Sequence, residues 1–428
     1  MRPLKRLAIA LGLLLAGLPA FAADPPPPSI DKLVEQLGSP SFPARERASK
    51  QLRERGPVVL PALRKALESK DEEVRKRAES LIPAMEIDEA LLPKRVTLAK
   101  GADSSIKFLQ DISKQTGYKV ELQGTAVGGL GTPIALTDVP FWDAIEQVGK
   151  ASGTIPSYES YQKMIYMRPA AGRSPFVNVR GPFRLEATWF HEDRDVDLTQ
   201  AKSGTDGWRN SKLTMAVNVL AEPRLTFLKV HPAKVEEALD ADGKSLLEPE
   251  DATRTAALQR SARGTFRGES LISSDVRIRR ASETAKTVKV LRGTIPVQTI
   301  LIRKPVVVTS KVLESGGTTF RAGTDSILIK QVTNQGGANI WVEMQVPRFE
   351  NDPYRQWNER FHLEDDAGNK FNMNGGGSSS NGREFTISLY FSPPFNNKKV
   401  GAPAKLVFED WVVHDHAIPF EFRDVPLP

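Results

Sequence analysis

The chain repeats itself at three different intervals, and each interval is confined to its own segment. Residues 29–88 repeat with a period of 30, residues 95–168 with an offset of 36, and residues 176–428 with an offset of about 125. A single packed core does not produce three unrelated periods, so the 428 residues predict several domains. The expected fold class is multi-domain α+β, with a short α-helical repeat, a small duplicated βαβ domain and two β-sandwich domains.

The first residues predict export. Three basic residues precede an apolar run from Leu7 to Leu18, and Ala20-Phe21-Ala22 fits the small-x-small rule for signal peptidase. We interpret residues 1–22 as a cleaved signal peptide, with cleavage near Ala22, and residues 23–28 as a proline-rich linker. A retained N-terminal anchor is the alternative. Because the chain has no cysteine, it has no site for a lipid-modified cysteine and no disulfides, and each domain depends on its own core.

The charge balance predicts no nucleic-acid partner. The formal net charge of +7 falls to about +4 once the three basic residues of the signal peptide are removed. The distribution is uneven, because twelve Lys or Arg and three acidic residues lie between Arg254 and Lys304. An exposed basic face in this stretch could contact anionic polysaccharide or lipid headgroups. The candidate contacts are Arg277, Arg279, Arg280, Lys286, Lys289 and Arg292.

The competing interpretation of this stretch is an ordinary solvated face. The alternation in Val276-Arg277-Ile278-Arg279 places both arginines on one side of a strand, where acids of neighbouring strands can balance them. We weigh this interpretation ahead of the binding face.

The period of 30 lies in a helical segment. Leu33 and Leu37 match Leu63 and Leu67, with helical spacing, and turns separate the helices. The two copies, Leu37-Gly-Ser39…Ala44-Arg45-Glu-Arg-Ala48 and Leu67-Glu-Ser69…Val74-Arg75-Lys-Arg-Ala78, resemble a pair of HEAT-type repeats over residues 29–88. Such repeats bind proteins through stacked helices, and a spacer role is weighed equally. The candidate protein-docking face consists of Arg45, Arg47, Arg75 and Arg77.

The offset of 36 relates two strand–helix units in residues 95–168. Leu98 matches Ile134, and Gly117 matches Gly153 as helix stop. The segments Gln115-Thr116-Gly117-Tyr118-Lys-Val120 and Leu136-Thr-Asp138-Val139-Pro140 resemble the short N-terminal (STN) domain of secretins and TonB-dependent receptors. That resemblance implies a periplasmic docking module without catalysis. No secretin ring or barrel pattern follows, and the glycine-rich loop 124–131 lacks the Lys-Ser/Thr of a P-loop.

The rest of the chain alternates as β-strands do. Leu213–Val219 and Ile340–Val346 are related by an offset of 125, and the turn at Asp240 recurs at Asp365. Two loosely immunoglobulin-like β-sandwiches are predicted, at 176–304 and 305–428. Their duplication is a hypothesis that a different strand order in the two halves would refute. Further expectations are equivalence of Ile295-Pro296-Val297 with Ile418-Pro419-Phe420, and a mobile loop from Asn374 to Gly382.

The sequence predicts no catalytic, cofactor-binding or metal-binding residue. Gly268-Glu-Ser270 lacks the second glycine of a nucleophile elbow, and no carboxylates form a recognisable acid–base pair. The aspartate-rich turns are predicted to be structural, since a calcium loop needs about six spaced ligands. His414 and His416 share one face of a strand, which permits zinc geometrically, but spacing identifies no third ligand.

The preferred function is therefore an exported, non-catalytic scaffold of the cell envelope or periplasm. It would dock protein partners through the HEAT-like and STN-like domains and would need no cofactor. One alternative is a protein that binds envelope polysaccharide or an anionic surface through its β-sandwiches. Exposed tryptophans beside the basic face would favour that alternative, and the candidates are Trp341, Trp357 and Trp411. A second alternative is an unrecognised enzyme, which a deep pocket with converging carboxylates or histidines would favour.

Overall fold

The structure is a computed structural model of the chain. The predicted signal peptide (1–22), most of the linker (23–28) and the glycine-rich loop lie outside the described residues. The described residues are 27–98, 105–123, 134–159, 163–170, 172–194, 211–247, 270–282, 284–322, 325–336, 338–346, 357, 359–381, 385–394 and 400–428.

The chain is a mixed α and β protein that is rich in strands, and it divides into two compact units at residues 88 and 89. Within the described residues, no helix combines the length and hydropathy needed to cross a membrane. The helices of the first unit are α1 Ile30–Gln36, α2 Phe42–Arg55, α3 Leu60–Ala66 and α4 Glu72–Leu91, of which α4 ends just beyond the division.

The period of 30 in the first unit is visible in its hydrogen bonds. Arg45 donates from Nη1 to the carbonyl oxygen of Ser39 at 2.7 Å, and Arg75 donates to that of Ser69 at 2.6 Å. In each copy the arginine reaches back from a helix and closes the turn before it. The core below consists of small and aliphatic side chains at matching positions, including Leu33, Ala48, Leu63 and Ala78.

The second unit begins with an α/β segment in which strand, helix and strand follow one another twice. Its elements are β1 Arg95–Leu98, α5 Ser105–Thr116, β2 Val120–Leu122, β3 Leu136–Pro140, α6 Phe141–Ser152, β4 Thr154–Glu159 and β5 Met164–Pro169. β1 pairs with β3, and β2, β5 and β4 form a second sheet in that order. Gly117 and Gly153 follow the two helices with φ of 77° and 67°, which glycine adopts without steric cost.

The remaining strands form three sheets. Their bounds are β6 Val177–Arg180, β7 Phe183–Arg194, β8 Ser211–Ala221, β9 Thr226–Val230, β10 Lys234–Asp240, β11 Leu271–Arg279, β12 Thr287–Thr309, β13 Thr319–Ala322, β14 Asp325–Asn334, β15 Ile340–Val346, β16 Phe361–Glu364, β17 Asn372–Ser380, β18 Phe385–Ser392 and β19 Lys405–Pro426. The sheets have the orders β6-β7-β8-β11, β13-β14-β15-β18-β17 and β10-β12-β19-β16, with β9 also on β12.

The third sheet joins the two β regions that were predicted to separate at residues 304 and 305. That boundary falls inside β12, which pairs antiparallel with β19 from Thr287↔Pro426 to Thr309↔Leu406. β12 also pairs with β10 and β19 with β16, so each half contributes a long strand to the sheet of the other. The regions therefore share one sheet. The apolar alternation predicted the strands, but it carries no information about where a strand of 23 residues finds its partner.

Part of the strand order is shared by the two halves, because β6-β7-β8-β11 corresponds to β13-β14-β15-β18, whereas β17 adds a fifth strand to the second sheet and β9 pairs with β12 in the first half. The two aspartate turns also match. The Asp240 carboxylate accepts the N–H of Lys244 at 2.8 Å, and the Asp365 carboxylate accepts that of Asn369 at 2.8 Å. Gly243 and Gly368 take positive φ at the same turn position.

Two smaller predictions are wrong. The predicted equivalence of Ile295 with Ile418 fails, and the two residues are instead direct cross-strand partners in the β12–β19 pair. When β10 is aligned with β16, the pairing of β10 with β12 and of β16 with β19 makes Phe408 the counterpart of Gly293. The predicted loop from Asn374 is mostly strand, since β17 pairs with β18 along Asn372–Ser380. Glycine and serine have low strand propensity, but backbone pairing on an existing sheet outweighs that preference.

Candidate functional site

A cleft of about 810 Å³ lies within the second unit, and we call it the junction cleft. Its walls are β4 of the α/β segment, the connection 172–176, residues 425–428, and the sheet of β7, β8 and β11. Most of its lining is apolar, with aromatic rings from Tyr158, Phe176 and Trp189. This size and lining suit a segment of peptide or a small organic ligand.

The polar centre of the junction cleft is Arg184 on β7, a residue that is 3% exposed. Its Nε donates to Glu146 at 2.7 Å and its Nη1 donates to Glu186 at 2.7 Å. Arg173 donates to the second oxygen of Glu146. The Nη2 atom of Arg184 is buried and has no hydrogen-bond partner within the described residues. A buried donor without a hydrogen-bond partner costs about 1–3 kcal/mol.

Strand register places this centre on one face of the sheet. Glu186 lies opposite Asn218 of β8, and Arg184 lies opposite Leu220, so alternate residues of both strands share that face. The pairing shifts between Ala187 and Trp189. This bulge brings Trp189 opposite Ala216 and onto the same face as Asn218, where its ring is 54% exposed. Without the bulge, Trp189 would point to the opposite side.

The cleft has donors for binding but no free acid–base pair. Glu146 and Glu186 are each engaged by arginine, and no histidine lines the cleft among the described residues. Arg168 and Arg173 add positive charge to the lining. The side-chain amide of Asn218 makes no hydrogen bond to the described residues. The arrangement can hold an apolar group and an oxyanion.

A second buried polar cluster fixes the α/β segment to the first β region. Glu222 has no exposed surface and accepts hydrogen bonds from Tyr118 Oη at 2.6 Å and from the Lys94 N–H at 3.0 Å. Arg224 donates to the same carboxylate at 3.2 Å. Burial raises the pKa of Glu222, and the Tyr118 hydrogen bond opposes that rise. Burial and the charge of Glu222 raise the pKa of Tyr118. The cluster joins the α/β segment to the residues that follow β8, a strand of the sheet that lines the cleft.

Three of the four arginines of the predicted protein-docking face have structural contacts inside the first unit. Arg45 and Arg75 close turns, and Arg45 also pairs with Glu73 at 3.0 Å. Arg77 bonds Glu73 and Glu46. Arg47 is exposed and makes no contact of this kind with the described residues. Closure of the turn therefore explains why an arginine recurs at this position of the repeat, as Arg45 and Arg75.

The predicted basic face divides into paired and unpaired members. Arg280 is 5% exposed and bound to Glu192, Lys289 pairs with Asp424, and Arg292 pairs with Glu237 and Glu421. The remaining three are exposed and have no acidic partner within the described residues, and they are Arg277, Arg279 and Lys286.

The histidine pair has no third ligand beside it among the described residues. The rings of His414 and His416 are 6.5 Å apart, and His416 stacks on Phe183 at 5.5 Å. Burial lowers the pKa of His416, and the neighbouring His414 contributes. Across the described part of the chain, no three His, Asp or Glu side chains are grouped to hold a metal ion.

The three tryptophans that bear on polysaccharide binding are not openly exposed. Trp357 is 0% exposed in the core of the second β region. Trp341 and Trp411 are half-buried, and the Arg303 and Arg360 guanidinium groups lie 5.2 Å from the Trp411 ring centroid. Trp189, which no sequence pattern singled out, is the exposed indole of the junction cleft.

Sequence reasoning also missed Arg184, Glu146 and Glu186. They come from a helix and a strand 38 residues apart, and no motif connects them. The available signal was Arg184 and Glu186, an arginine and a glutamate two positions apart in an apolar strand. Charged residues in such a strand indicate a buried ion pair, because buried charges need a partner.

No family model matches the chain, and no curated protein matches it. Among solved structures, the crystal structure of the conserved domain protein from Bacillus anthracis is similar at 10% sequence identity, with a TM-score of 0.13. The match covers 56% of this chain and 88% of that chain. A TM-score this low carries no conclusion about fold or function.

Proposed function

We propose that the chain is an exported, non-catalytic protein of the cell envelope, which docks a segment of a partner protein in the junction cleft. The observation that carries the proposal is the cleft itself, where an exposed Trp189 and an incompletely bonded Arg184 meet on one sheet face. Rigid aromatic rings and arginine are the side chains that contribute most to protein interfaces.

The position of the cleft supports the same function. It lies between the α/β segment, whose sequence resembles a periplasmic docking module, and the first β region. Tyr118 and Glu222 tie these parts together, so the wall is preorganised for binding. The HEAT-like first unit would add a second protein-binding surface or a spacer, and the two β regions would extend the assembly.

A second candidate function is attachment to anionic polysaccharide or lipid. The supporting observation is that Arg277, Arg279 and Lys286 are exposed without acidic partners among the described residues. Long-range attraction to an anionic surface requires such unbalanced charge.

Site-specific photo-crosslinking in intact cells of the source organism tests docking. A photoreactive benzoylphenylalanine replaces Trp189 in one variant of the full chain and Val307 in a control. Val307 is also an exposed apolar position, at 57%, and lies on β12 away from the cleft lining. We expect a discrete crosslinked protein from position 189 and not from 307. No product at 189, or the same products at both positions, would overturn the proposal.

A further inference from the structure

Strand β11 forms one edge of the four-stranded sheet β6-β7-β8-β11. The backbone groups of an antiparallel strand point alternately to its two sides. The Ser270 carbonyl accepts the Ala221 N–H at 2.7 Å and so faces β8, whereas the Arg279 N–H faces away and bonds the Leu246 carbonyl oxygen at 2.8 Å. By this alternation, the residues whose backbone groups face away from β8 are Leu271, Ser273, Asp275 and Arg277.

The outward backbone groups of these four residues have no hydrogen-bond partner within the described part of the chain. We call the segment 271–277 the open edge. An edge strand with unpaired N–H and C=O groups is a template on which a further strand can pair. The side chains alternate along it, since Ser273, Asp275 and Arg277 are exposed while Ile272 and Val276 are buried.

The second β region has a strand seated on the equivalent edge. Val217 lies opposite Ser274, and Val342, at the offset of 125, lies opposite Leu389. Ser274 is therefore the counterpart of Leu389, and β11 is the counterpart of β18. Strand β17 pairs antiparallel with β18 along Phe385–Ser392, which includes the counterparts of all four residues of the open edge. The same edge is thus paired in one half and open, among the described residues, in the other.

The side chains of the open edge determine what an added strand would have to carry. Val276 is buried at 0%, and its counterpart Phe391 lies opposite Met373 of β17, which packs against the core. An added strand would place an apolar side chain opposite Val276 in the same way. On the exposed face, Arg277 and Asp275 have no oppositely charged partner within the described residues. Opposite charges directly across a strand pair stabilise it, and like charges destabilise it.

We infer that the open edge binds an extended segment of a partner protein as a fifth, antiparallel strand. An acidic residue of that segment lies opposite Arg277, the next residue is apolar and lies opposite Val276, and the one after it is basic and lies opposite Asp275. Main-chain hydrogen bonds supply the affinity, and the order of charges supplies the specificity. This inference goes beyond the proposed function, because only Leu271 of the open edge lines the junction cleft.

The test measures the binding of two labelled peptides with blocked ends to the full chain, by fluorescence anisotropy at low salt. The first peptide is Glu-Val-Lys-Val-Thr-Val-Thr, and the second exchanges its glutamate and lysine, so the two have the same composition. We expect the first to bind about tenfold more tightly, because the second places like charges opposite Arg277 and Asp275. Equal affinities, or no binding of either peptide, would overturn the inference.

A charge exchange within the open edge tests the register. Asp275→Arg combined with Arg277→Asp reverses the order of charges and keeps the net charge. We expect this variant to prefer the second peptide by about tenfold. Lys311→Glu combined with Glu314→Lys is the control, because it exchanges an exposed ion pair elsewhere, and it should keep the wild-type preference. An unreversed preference in the edge variant would show that these charges do not face the peptide, and would overturn the inference.

Ser273→Pro tests the main-chain hydrogen bonds. Proline removes the N–H that faces the open edge and takes no bond from the ladder with β8. Ser273→Thr keeps that N–H and is the matched control. We expect proline to weaken binding of the first peptide at least fivefold and threonine to leave it unchanged, with similar thermal midpoints for both variants. Equal peptide binding in the two variants would overturn strand addition. The charge exchange remains decisive if the proline variant does not fold.

Two other occupants of the open edge are distinguished by the same variants, and either would overturn the inference. A dimer of the free chain in analytical ultracentrifugation, dissociated by Ser273→Pro, would assign the edge to a second copy of the chain. Binding of polygalacturonate that is lost in Arg277→Gln but kept in Ser273→Pro would assign Arg277 to polysaccharide. Crosslinking at position 189 is read separately, so failure of docking in the junction cleft is distinguishable from failure at the open edge.

Discussion

Tyr118 donates a hydrogen bond of 2.6 Å to Glu222, a carboxylate that has no exposed surface and lies 104 residues later in the chain. The tyrosine comes from the α/β segment and the glutamate follows β8, so the pair joins two parts of the second unit. The Lys94 N–H and Arg224 complete the coordination of the carboxylate. A buried charge of this kind is tolerated because several donors surround it.

Tyr118→Phe is expected to lower the free energy of unfolding of the full chain by about 1–3 kcal/mol, since it removes one donor from a buried carboxylate. Urea denaturation followed by fluorescence measures the change. Tyr390→Phe is the matched control, because the Tyr390 hydroxyl bonds to none of the described residues, and it should change the value by less than about 0.5 kcal/mol.

The same variant should depend on pH in a definite direction. Burial raises the pKa of Glu222 above its ordinary value, so the folded chain holds the proton more tightly than the unfolded chain does, and stability is lost as pH rises through the folded pKa. Removing the Tyr118 hydroxyl raises that pKa further. The loss in Tyr118→Phe should therefore be larger at pH 7 than at pH 4, and an equal loss at both would contradict this account.

In the first unit, Arg75→Met should destabilise the repeat while Arg47→Met should not. Arg75 donates to the carbonyl oxygen of Ser69 at 2.6 Å and closes a turn, whereas Arg47 is exposed without a described partner. A lost hydrogen bond from a charged donor corresponds to about 1.5–3 kcal/mol. Hydrogen exchange of the α3–α4 turn measures the effect locally, and equal protection in both variants would show that turn closure is not the role of Arg75.

The sequence could predict contacts within a turn, but it could not predict contacts between distant elements. The period of 30 by itself makes Arg45 and Arg75 equivalent, and the offset of 125 does the same for Asp240 and Asp365. Both concern local geometry, in which a side chain acts within a few residues of its own position. Arg184 and Glu146, by contrast, meet because a helix packs on a sheet, and no local pattern encodes that contact.

The pairing of β12 with β19 could not be predicted from the sequence, for a related reason. Val297 pairs with His416 and Ile302 with Val412, so the partners lie more than a hundred residues apart. The apolar alternation identifies each strand, but it does not specify the partner, because any other apolar strand could pair with it equally well. The predicted division at residues 304 and 305 followed from placing the copies side by side, whereas the structure interleaves their longest strands.

Acid should destabilise the second β region through Asp365. The Gly401 N–H, the Asn369 side-chain amide and further backbone donors lower the pKa of Asp365 from 3.8 to about 2. A lowered carboxyl pKa contributes stability that is present above the unfolded value and is lost as pH falls towards the folded one. The urea midpoint of the wild type should therefore fall between pH 4 and pH 2.

Asp365→Asn should flatten that dependence and lower the midpoint at pH 5, because the neutral amide is a weaker acceptor and presents N–H groups to Gly401. Asp366→Asn, at the exposed neighbouring position, is the control and should keep the wild-type slope. If both variants retained the slope, the acid sensitivity would have to come from another group.

The close approach of β10 to β12 makes Gly293 irreplaceable. A Cβ added there would lie 2.2 Å from the Lys234 carbonyl oxygen and 2.9 Å from Phe420 Cζ, and the first of these is backbone that cannot move aside. Gly293→Ala should therefore cost about 1–3 kcal/mol or more, by forcing β10 off β12. Gly377→Ala makes the same substitution in β17, where nothing lies within 4 Å of the new atom, and should change stability by less than about 0.5 kcal/mol. Thermal unfolding of the two variants side by side decides the point, since similar midpoints would mean that the two strands do not pack as closely as this register requires.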